Sequence, residues 1–172
     1  MRSNFMRKRR LVLTGVLAAA CLLQNTELSL ATTATSTFTV QLIINSTCTV
    51  SSPTTLDFGT AGILSANIDA TTTISVTCTA STTYNIGLNA GTGTGATVAT
   101  RKMTSSGNTV NYTLYSDSAR TTVWGNTIGT DTPTTTPGTG SAQSYTVYGR
   151  VPSQVSPAAG TYTDTITVTV TY

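Results

Sequence analysis

Alternating apolar and polar positions mark both ends of the chain. Residues 161–172 (TYTDTITVTVTY) carry threonines at every second position and, between them, the apolar residues Tyr162, Ile166, Val168, Val170 and Tyr172. Residues 37–44 (TFTVQLII) place Phe38, Val40, Leu42 and Ile44 on one face. Successive side chains of a strand point to opposite faces of its sheet, so both segments are predicted to be β-strands.

These two strands have an unusual relation to each other. A strand that ends the chain leaves its sheet with an open edge, and an open edge is a template for another strand. Residues 37–44 supply a strand that is spare at the other end. This combination is typical of a subunit that polymerises by lending a strand to its neighbour.

The rest of the chain also predicts short strands separated by turns. Beyond residue 31 it is rich in Thr, Val, Ile and Tyr, is punctuated by Gly, Asn, Asp and Pro, and shows no 3.6-residue period. Evenly spaced short strands favour a sandwich or a barrel in one domain. The predicted strands are 37–44, 47–51, 54–60, 71–79, 83–89, 97–103, 109–116, 144–151 and 161–172. Residues 125–141, with Pro133 and Pro137, are predicted to form a surface loop.

Residues 1–31 have the pattern of a signal peptide. Basic residues precede the apolar run 11–23, and Ser29-Leu30-Ala31 offers small residues for cleavage before Thr32. No later segment approaches the roughly 20 apolar residues of a spanning helix, so we expect an exported, soluble protein. A lipoprotein is the less favoured alternative, because the sequence before Cys21 lacks the usual leading Leu or Val.

Removing the leader changes the charge and the cysteine content. Four basic side chains and five aspartates remain, a net charge of −1, and no cluster of cations exists to bind nucleic acid. Two cysteines, Cys48 and Cys78, remain, and in an exported chain such a pair predicts a disulfide. A disulfide between two early strands favours an immunoglobulin-like sandwich.

Candidate chemistry is scarce. The chain has no histidine, and beyond the leader it has no glutamate, so a Ser-His-Asp triad, a Cys-His pair and a His-based zinc site are excluded. The five aspartates show no spacing that singles out a carboxylate pair, and we interpret them as solvated turn residues. Residues 91–96 (GTGTGA) match a phosphate-binding pattern, but the following residues favour a strand rather than a helix. We expect no enzyme, no cofactor, no metal and no small-molecule substrate.

A series of short motifs resembles the spore coat protein U domain family, which includes the subunits of archaic chaperone-usher pili of the Csu type. The resemblance covers nearly the whole chain beyond the leader. The motifs, in order, are Cys48-Thr49-Val50, Leu56-Asp57-Phe58-Gly59-Thr60, Ile74-Ser75-Val76-Thr77-Cys78-Thr79, Arg101-Lys102-Met103, residues 110–117 (VNYTLYSD), Val123-Trp124-Gly125, residues 148–152 (YGRVP) and residues 160–164 (GTYTD).

The resemblance implies an all-β fold, an incomplete immunoglobulin-like β-sandwich completed by a donor strand from a neighbouring subunit. It implies a signal peptide at 1–31, a donor-strand segment at 32–46 and a pilin domain at 47–172. It places the donor side chains at Phe38, Val40, Leu42 and Ile44. The implied partners are other copies or related pilins, a periplasmic chaperone and an outer-membrane usher, and the implied location is a pilus on the cell surface that serves attachment and biofilm formation.

Several finer expectations follow. Tip adhesins of these pili carry an additional amino-terminal domain for which this chain has no room, so a shaft or adaptor subunit is favoured. Phe58, Tyr112, Leu114 and Trp124 are interpreted as core anchors rather than ligand contacts. Asp117 and Asp164 are candidate ion-pair partners of Arg101 and Arg150, and no function is assigned to such exposed pairs. The alternative function is a stand-alone secreted coat or carbohydrate-binding β-sandwich whose own amino-terminal strand closes its sheet.

Overall fold

The computed structural model of the chain describes residues 30–51, 53–135 and 137–172. The predicted signal peptide therefore lies, up to residue 29, outside the described residues. The chain divides into two units, residues 1–41 and residues 42–172. Among the described residues there is no helix that is long and apolar enough to cross a membrane.

The second unit is built from seven antiparallel strands, and the described residues contain no helix. One sheet has the order β1-β2-β6-β5-β4, and a second sheet pairs β3 with β7. The strands are β1 Cys48–Ser51, β2 Ile68–Cys78, β3 Asn85–Leu88, β4 Arg101–Ser105, β5 Asn108–Tyr115, β6 Ala142–Val151 and β7 Val168–Thr171.

The strand order is that of an immunoglobulin-like sandwich from which one strand is missing. A constant-type immunoglobulin domain has four strands, A-B-E-D, in one layer and three, C-F-G, in the other. Across the larger sheet, β1, β2, β6 and β5 occupy the places of A, B, E and D, while β3 and β7 of the second sheet occupy those of C and F. The place of the G strand, along the second edge of β7, is not filled by any strand of residues 30–51, 53–135 and 137–172. The predicted incomplete immunoglobulin-like fold is thus confirmed.

The core lies between the two sheets and follows from the alternation along the strands. Ile74 and Val76 of β2, and Val147 and Val151 of β6, face Ile86 and Leu88 of β3. Trp124 closes the core and donates its indole N–H to the Ile86 carbonyl at 2.9 Å. The predicted anchors Tyr112, Leu114 and Trp124 are buried, and Phe58 is half-buried against the same cluster.

Cys48 and Cys78 are joined by a disulfide, as predicted from the sequence. They lie directly opposite each other in the β1–β2 register. The bond fixes the short edge strand β1 at the carboxyl end of β2, which we call the Cys78 end of the molecule. The opposite end, where β2 begins beside the last residue of β6, is the Val151 end.

Four of the predicted strands are absent from the structure or begin well beyond their predicted start. Residues 37–44 and 54–60 form no strand, and of residues 161–172 only Val168–Thr171 does. The predicted strand 97–103 begins later, at Arg101. A strand needs a hydrogen-bonded neighbour, and residues 54–60 and 161–167 border the place where a strand is missing.

Candidate functional site

A long apolar groove occupies the place of the missing strand. Its volume is about 1180 Å³. The floor consists of core side chains from both sheets, among them Ile74, Leu114 and Leu88. One side is formed by residues 53–62, which we call the first wall, and the other by residues 156–166, the second wall. Each wall contains a segment that was predicted to be a strand but has no neighbouring strand at the groove.

The first wall rests on β6 through two apolar side chains. Leu56 and Phe58 alternate with polar residues, and both are half-buried against the core. They fit closely over Gly149, where an added Cβ would lie 2.9 Å from each of them. Gly59, with φ +75°, turns the chain and donates its N–H to Asp57 Oδ1 at 2.8 Å. The wall is therefore held by side chains rather than by a β-ladder.

The second wall keeps the predicted alternation without forming a continuous strand. Tyr162, Asp164 and Ile166 are half-buried, while the threonines between them are exposed. Thr163 exchanges backbone hydrogen bonds with Thr104 of β4, at 2.9 and 3.2 Å. The wall is thus attached to the edge of the larger sheet, and the apolar side chains Tyr162 and Ile166 remain at the groove.

Asp164 is the polar anchor of the second wall. Its Oδ1 accepts hydrogen bonds from the Thr92 N–H at 2.7 Å and the Thr92 hydroxyl at 2.8 Å, and its Oδ2 accepts the Tyr112 hydroxyl at 2.7 Å. Burial and the hydrogen bond to Asp164 raise the pKa of Tyr112 far above its usual range, so Tyr112 stays a neutral donor. Gly91 gives Asp164 the space to approach, because an added Cβ at that position would overlap the carboxylate. The glycine-rich residues 91–96 therefore form a loop that contacts Asp164, and no helix follows them.

Arg101 is a second polar side chain that connects separate segments of the chain near the groove. It is fully buried, and its guanidinium donates to four backbone carbonyls that belong to three segments of the chain. Nε donates to Asn89 at 2.8 Å, Nη1 to Val98 at 2.8 Å, and Nη2 to Leu88 at 3.0 Å and Trp124 at 2.7 Å. Burial lowers the pKa of Arg101. Carbonyl groups, rather than a carboxylate, thus satisfy this buried cation.

The predicted ion pairs are wrong for both arginines. Arg150 pairs with Asp69 through two hydrogen bonds, of 2.7 and 2.9 Å, and not with Asp117 or Asp164. This contact lowers the pKa of Asp69 and raises that of Arg150. Arg120 approaches the same carboxylate at 3.3 Å and lies over the Tyr148 ring. The partners face each other across the β2–β6 register, where Asp69 is opposite Arg150, a proximity that residue spacing alone does not reveal.

The remaining aspartates mostly cap turns, as predicted. Asp117 accepts hydrogen bonds from the Thr121 and Thr122 amides, and the Thr122 amide is the main reason why the pKa of Asp117 is lowered. Asp131 Oδ1 accepts the Thr127 N–H. Among the described residues no three Cys or Asp side chains come together as a possible metal site.

The four predicted donor side chains are exposed. Phe38, Val40, Leu42 and Ile44 have 87, 83, 83 and 74% of their surface accessible, and residues 37–44 form no strand. Their role as a donor strand remains a prediction. The residues that follow are fixed: Thr47 donates its N–H to Thr79 Oγ1 at 3.0 Å, and the Thr79 hydroxyl contacts the Asn45 carbonyl at 3.2 Å. The donor segment therefore leaves the domain at the Cys78 end.

Sequence reasoning missed the roles of Arg101 and Asp164 and the walls of the groove. The short motifs contained a signal for this region. Four of them each supply one residue to it, namely Arg101, Tyr112, Trp124 and Asp164. Polar residues that recur in apolar surroundings indicate buried hydrogen-bonding groups. Their partners are largely backbone carbonyls and amides, which have no side-chain pattern to detect.

Comparisons with known proteins agree with this architecture. Protein U of Myxococcus xanthus is 34% identical over 157 residues, which cover 83% of this chain and 87% of that protein. A crystal structure of a chaperone–tip adhesion subunit pre-assembly complex, from the archaic chaperone-usher Csu pili of Acinetobacter baumannii, has a similar fold with a TM-score of 0.53 and 23% identity. That match covers 75% of this chain but only 40% of the solved one. The family model of the Spore Coat Protein U domain matches residues 34–169, and the chain belongs to this family.

Proposed function

We propose that this protein is a structural subunit of an archaic chaperone-usher pilus and that it polymerises by donor-strand exchange. The observation that carries the proposal is the apolar groove at the free edge of β7, in the place of the G strand. Each subunit accepts the donor segment of one neighbour in its groove and gives its own segment, residues 32–46, to the next.

The groove needs an occupant for physical reasons. Protein interiors are close-packed, and a groove of about 1180 Å³ leaves core atoms without contacts. Half-buried apolar side chains line it, including Leu56, Met103 and Ile166. An open strand edge beside exposed apolar surface promotes association with other chains. A strand that adds to β7 supplies hydrogen-bond partners to its free edge. The apolar side chains that this strand inserts between the walls supply the missing core contacts.

Residues 37–44 have the properties of that strand. Four apolar side chains project from one face at a spacing of two, and all four are exposed. Burying them stabilises the assembly by about 6–12 kcal/mol, an upper estimate at roughly 1.5–3 kcal/mol for each side chain. The hydrogen bonds of the new ladder add to this. The resulting joint is expected to survive mild detergent.

The geometry of the domain favours donation to another copy over closure of the same chain. Both layers of an immunoglobulin-like sandwich are antiparallel, so a strand beside β7 runs from the Cys78 end to the Val151 end. Ile44 then lies at the Val151 end of the groove that it fills. In its own chain, however, Asn45 is fixed beside Thr79 at the Cys78 end, and β2, with its 11 residues, spans about 35 Å between the two ends. The same chain reaches its own groove only with the strand running parallel to β7.

The partners and location follow from the same proposal. A subunit with an unfilled groove needs a chaperone that covers the groove in the periplasm, and an usher that exchanges the chaperone for the next donor strand. The expected location is a fibre on the cell surface that serves attachment and biofilm formation. The similarity to a chaperone-bound pilus subunit supports this view.

A pair of charge substitutions tests the proposal. Val40→Asp places a carboxylate on the inserted face, whereas Gln41→Asp places it on the outward face. The chain is expressed together with its chaperone and usher, and polymers are detected as a ladder on a gel of unboiled sample. We expect the ladder to be lost in Val40→Asp and kept in Gln41→Asp. A stable wild-type monomer without a ladder would instead favour the stand-alone secreted β-sandwich.

A further inference from the structure

Three apolar side chains are exposed where the proposed function does not yet explain them. Ile43 lies on the outward face of the donor segment, which is otherwise polar at Thr39 and Gln41, and it is 71% exposed. Ile63 and Val155 are 83 and 92% exposed in the domain. Single exposed side chains of this size are common. These three, however, come close to one another once a donor strand is placed in the groove.

Ile63 and Val155 lie together at the Val151 end. The Gln154 N–H donates to the Leu64 carbonyl at 2.9 Å, and the Leu64 N–H donates to Ser156 Oγ at 2.7 Å. These bonds hold the residues around Ile63 next to those around Val155. Their chain neighbours Gly62, Leu64 and Ser156 line the groove, so both residues border it at the Val151 end.

We propose that Ile63 and Val155 form a seat for Ile43 of the neighbouring copy, an inference that rests on the proposed donor-strand exchange. An antiparallel donor strand brings its carboxyl-terminal residues to the Val151 end of the acceptor. Position 43 is then the last outward-facing residue before the strand leaves the groove. The apolar character of this one outward position matches the apolar character of the pair at the end of the groove.

The anchored linker makes the contact persistent. Three residues lie between Ile44 and the disulfide-bonded Cys48, so these two residues are at most about 14 Å apart. Thr79 fixes two of them, Asn45 and Thr47, to the donor's own domain. The donor's domain is therefore held close to the Val151 end of the acceptor, and Ile43 has little freedom to move away from Ile63 and Val155.

Dissociation rates of assembled polymers test this seat. The variants are full-length chains: Ile43→Thr, the acceptor pair Ile63→Thr with Val155→Thr, and the combination of all three. Threonine keeps the β-branched shape and removes apolar surface, and Gln41→Thr is the control on the same outward face. The readout is the rate at which polymers fall apart into monomers in guanidinium chloride.

We expect Ile43→Thr and the acceptor pair each to dissociate about tenfold faster than the wild type, because each removes one side of the same apolar contact. The combined variant is expected to dissociate no faster than either, and Gln41→Thr is expected to match the wild type. An unchanged rate in Ile43→Thr, or effects that multiply in the combined variant, would overturn the seat while leaving donor-strand exchange intact. A wild type that forms no polymer would refute the proposed function and the seat with it.

Discussion

Two polar side chains, the buried Arg101 and the half-buried Asp164, connect segments that are far apart in the chain. Arg101 joins β4 to the carbonyls around Leu88, Val98 and Trp124, and Asp164 joins the second wall to the 91–96 loop. Removing one partner of a buried polar contact costs more than the contact contributes, because the other group stays buried and unsatisfied.

Arg101→Leu is expected to destabilise the domain by at least about 3 kcal/mol, since several buried carbonyls lose their donor. Arg101→Lys is expected to recover only part of this, because one ammonium group does not reach four carbonyls in the fork geometry of a guanidinium. Lys102→Leu is the neighbouring control and should stay within about 0.5 kcal/mol of the wild type. The measurement is denaturant unfolding of the purified chain. Equal stabilities of Arg101→Leu and the wild type would contradict the assigned role.

The Asp69–Arg150 pair predicts a pH dependence. Arg150 lowers the pKa of Asp69, so the stabilising contribution is present above about pH 4, the ordinary pKa of an aspartate, and is lost as the pH falls through the lowered pKa. We expect the thermal midpoint of the wild type to fall more steeply in this acidic range than that of Asp69→Asn. Arg150→Gln should flatten the profile in the same way. Parallel profiles for all three proteins would refute the contribution of this pair.

At the scale of elements, the sequence predicts where side chains point better than where strands form. The alternation in 161–172 correctly predicted that Tyr162 and Ile166 share a buried face, and Phe58 packs against the core as predicted. The alternation did not predict that most of residues 54–60 and 161–167 form no β-ladder. It indicates only that one face of a segment is buried, whereas a ladder also needs a neighbouring strand. The isolated cysteine pair predicted the disulfide, whereas the groove arises from topology and is not visible in any single segment.

The disulfide is expected to stabilise the edge of the larger sheet. Replacing both Cys48 and Cys78 by serine should destabilise the domain by about 3–4 kcal/mol, because the bond closes a loop of 30 positions. A small sandwich that lacks one strand has little stability to lose, so the yield of exported protein should fall sharply. Thiol labelling of the denatured wild-type protein checks the bond itself. Two reactive thiols in residues 32–172 would contradict it.

The first wall depends on the absence of a side chain at Gly149. Gly149→Ala is expected to push Leu56 and Phe58 away from β6 and to cost about 1–3 kcal/mol, as overpacking does in other cores. Gly62→Ala is the matched control within the same wall, because a Cβ there meets nothing within 4 Å. Thermal unfolding of assembled polymers compares the two. Equal losses for both variants would show that the fit over Gly149 is not important.

At the scale of the whole molecule, the proposed exchange uses two different ends of the domain. The donor segment leaves at the Cys78 end, and the groove that receives a donor ends at the Val151 end, beside Ile63 and Val155. An interface between two different surfaces of the same subunit does not close on itself, so repetition produces a linear chain. Under the proposed donor-strand exchange, such a subunit is therefore expected to form a head-to-tail fibre.

One experiment separates the two steps of donor-strand exchange, which are giving a strand and accepting one. A Val40→Asp subunit, held by its chaperone, is offered a labelled synthetic peptide that spans Thr32 to Asn45, and uptake of the label is measured together with the yield of the complex. We expect normal yield and normal uptake, because the groove of this subunit is unchanged and only its ability to donate is lost. Loss of the subunit despite its chaperone, or a stable wild-type monomer that ignores the peptide, would show that the strand closes its own sheet.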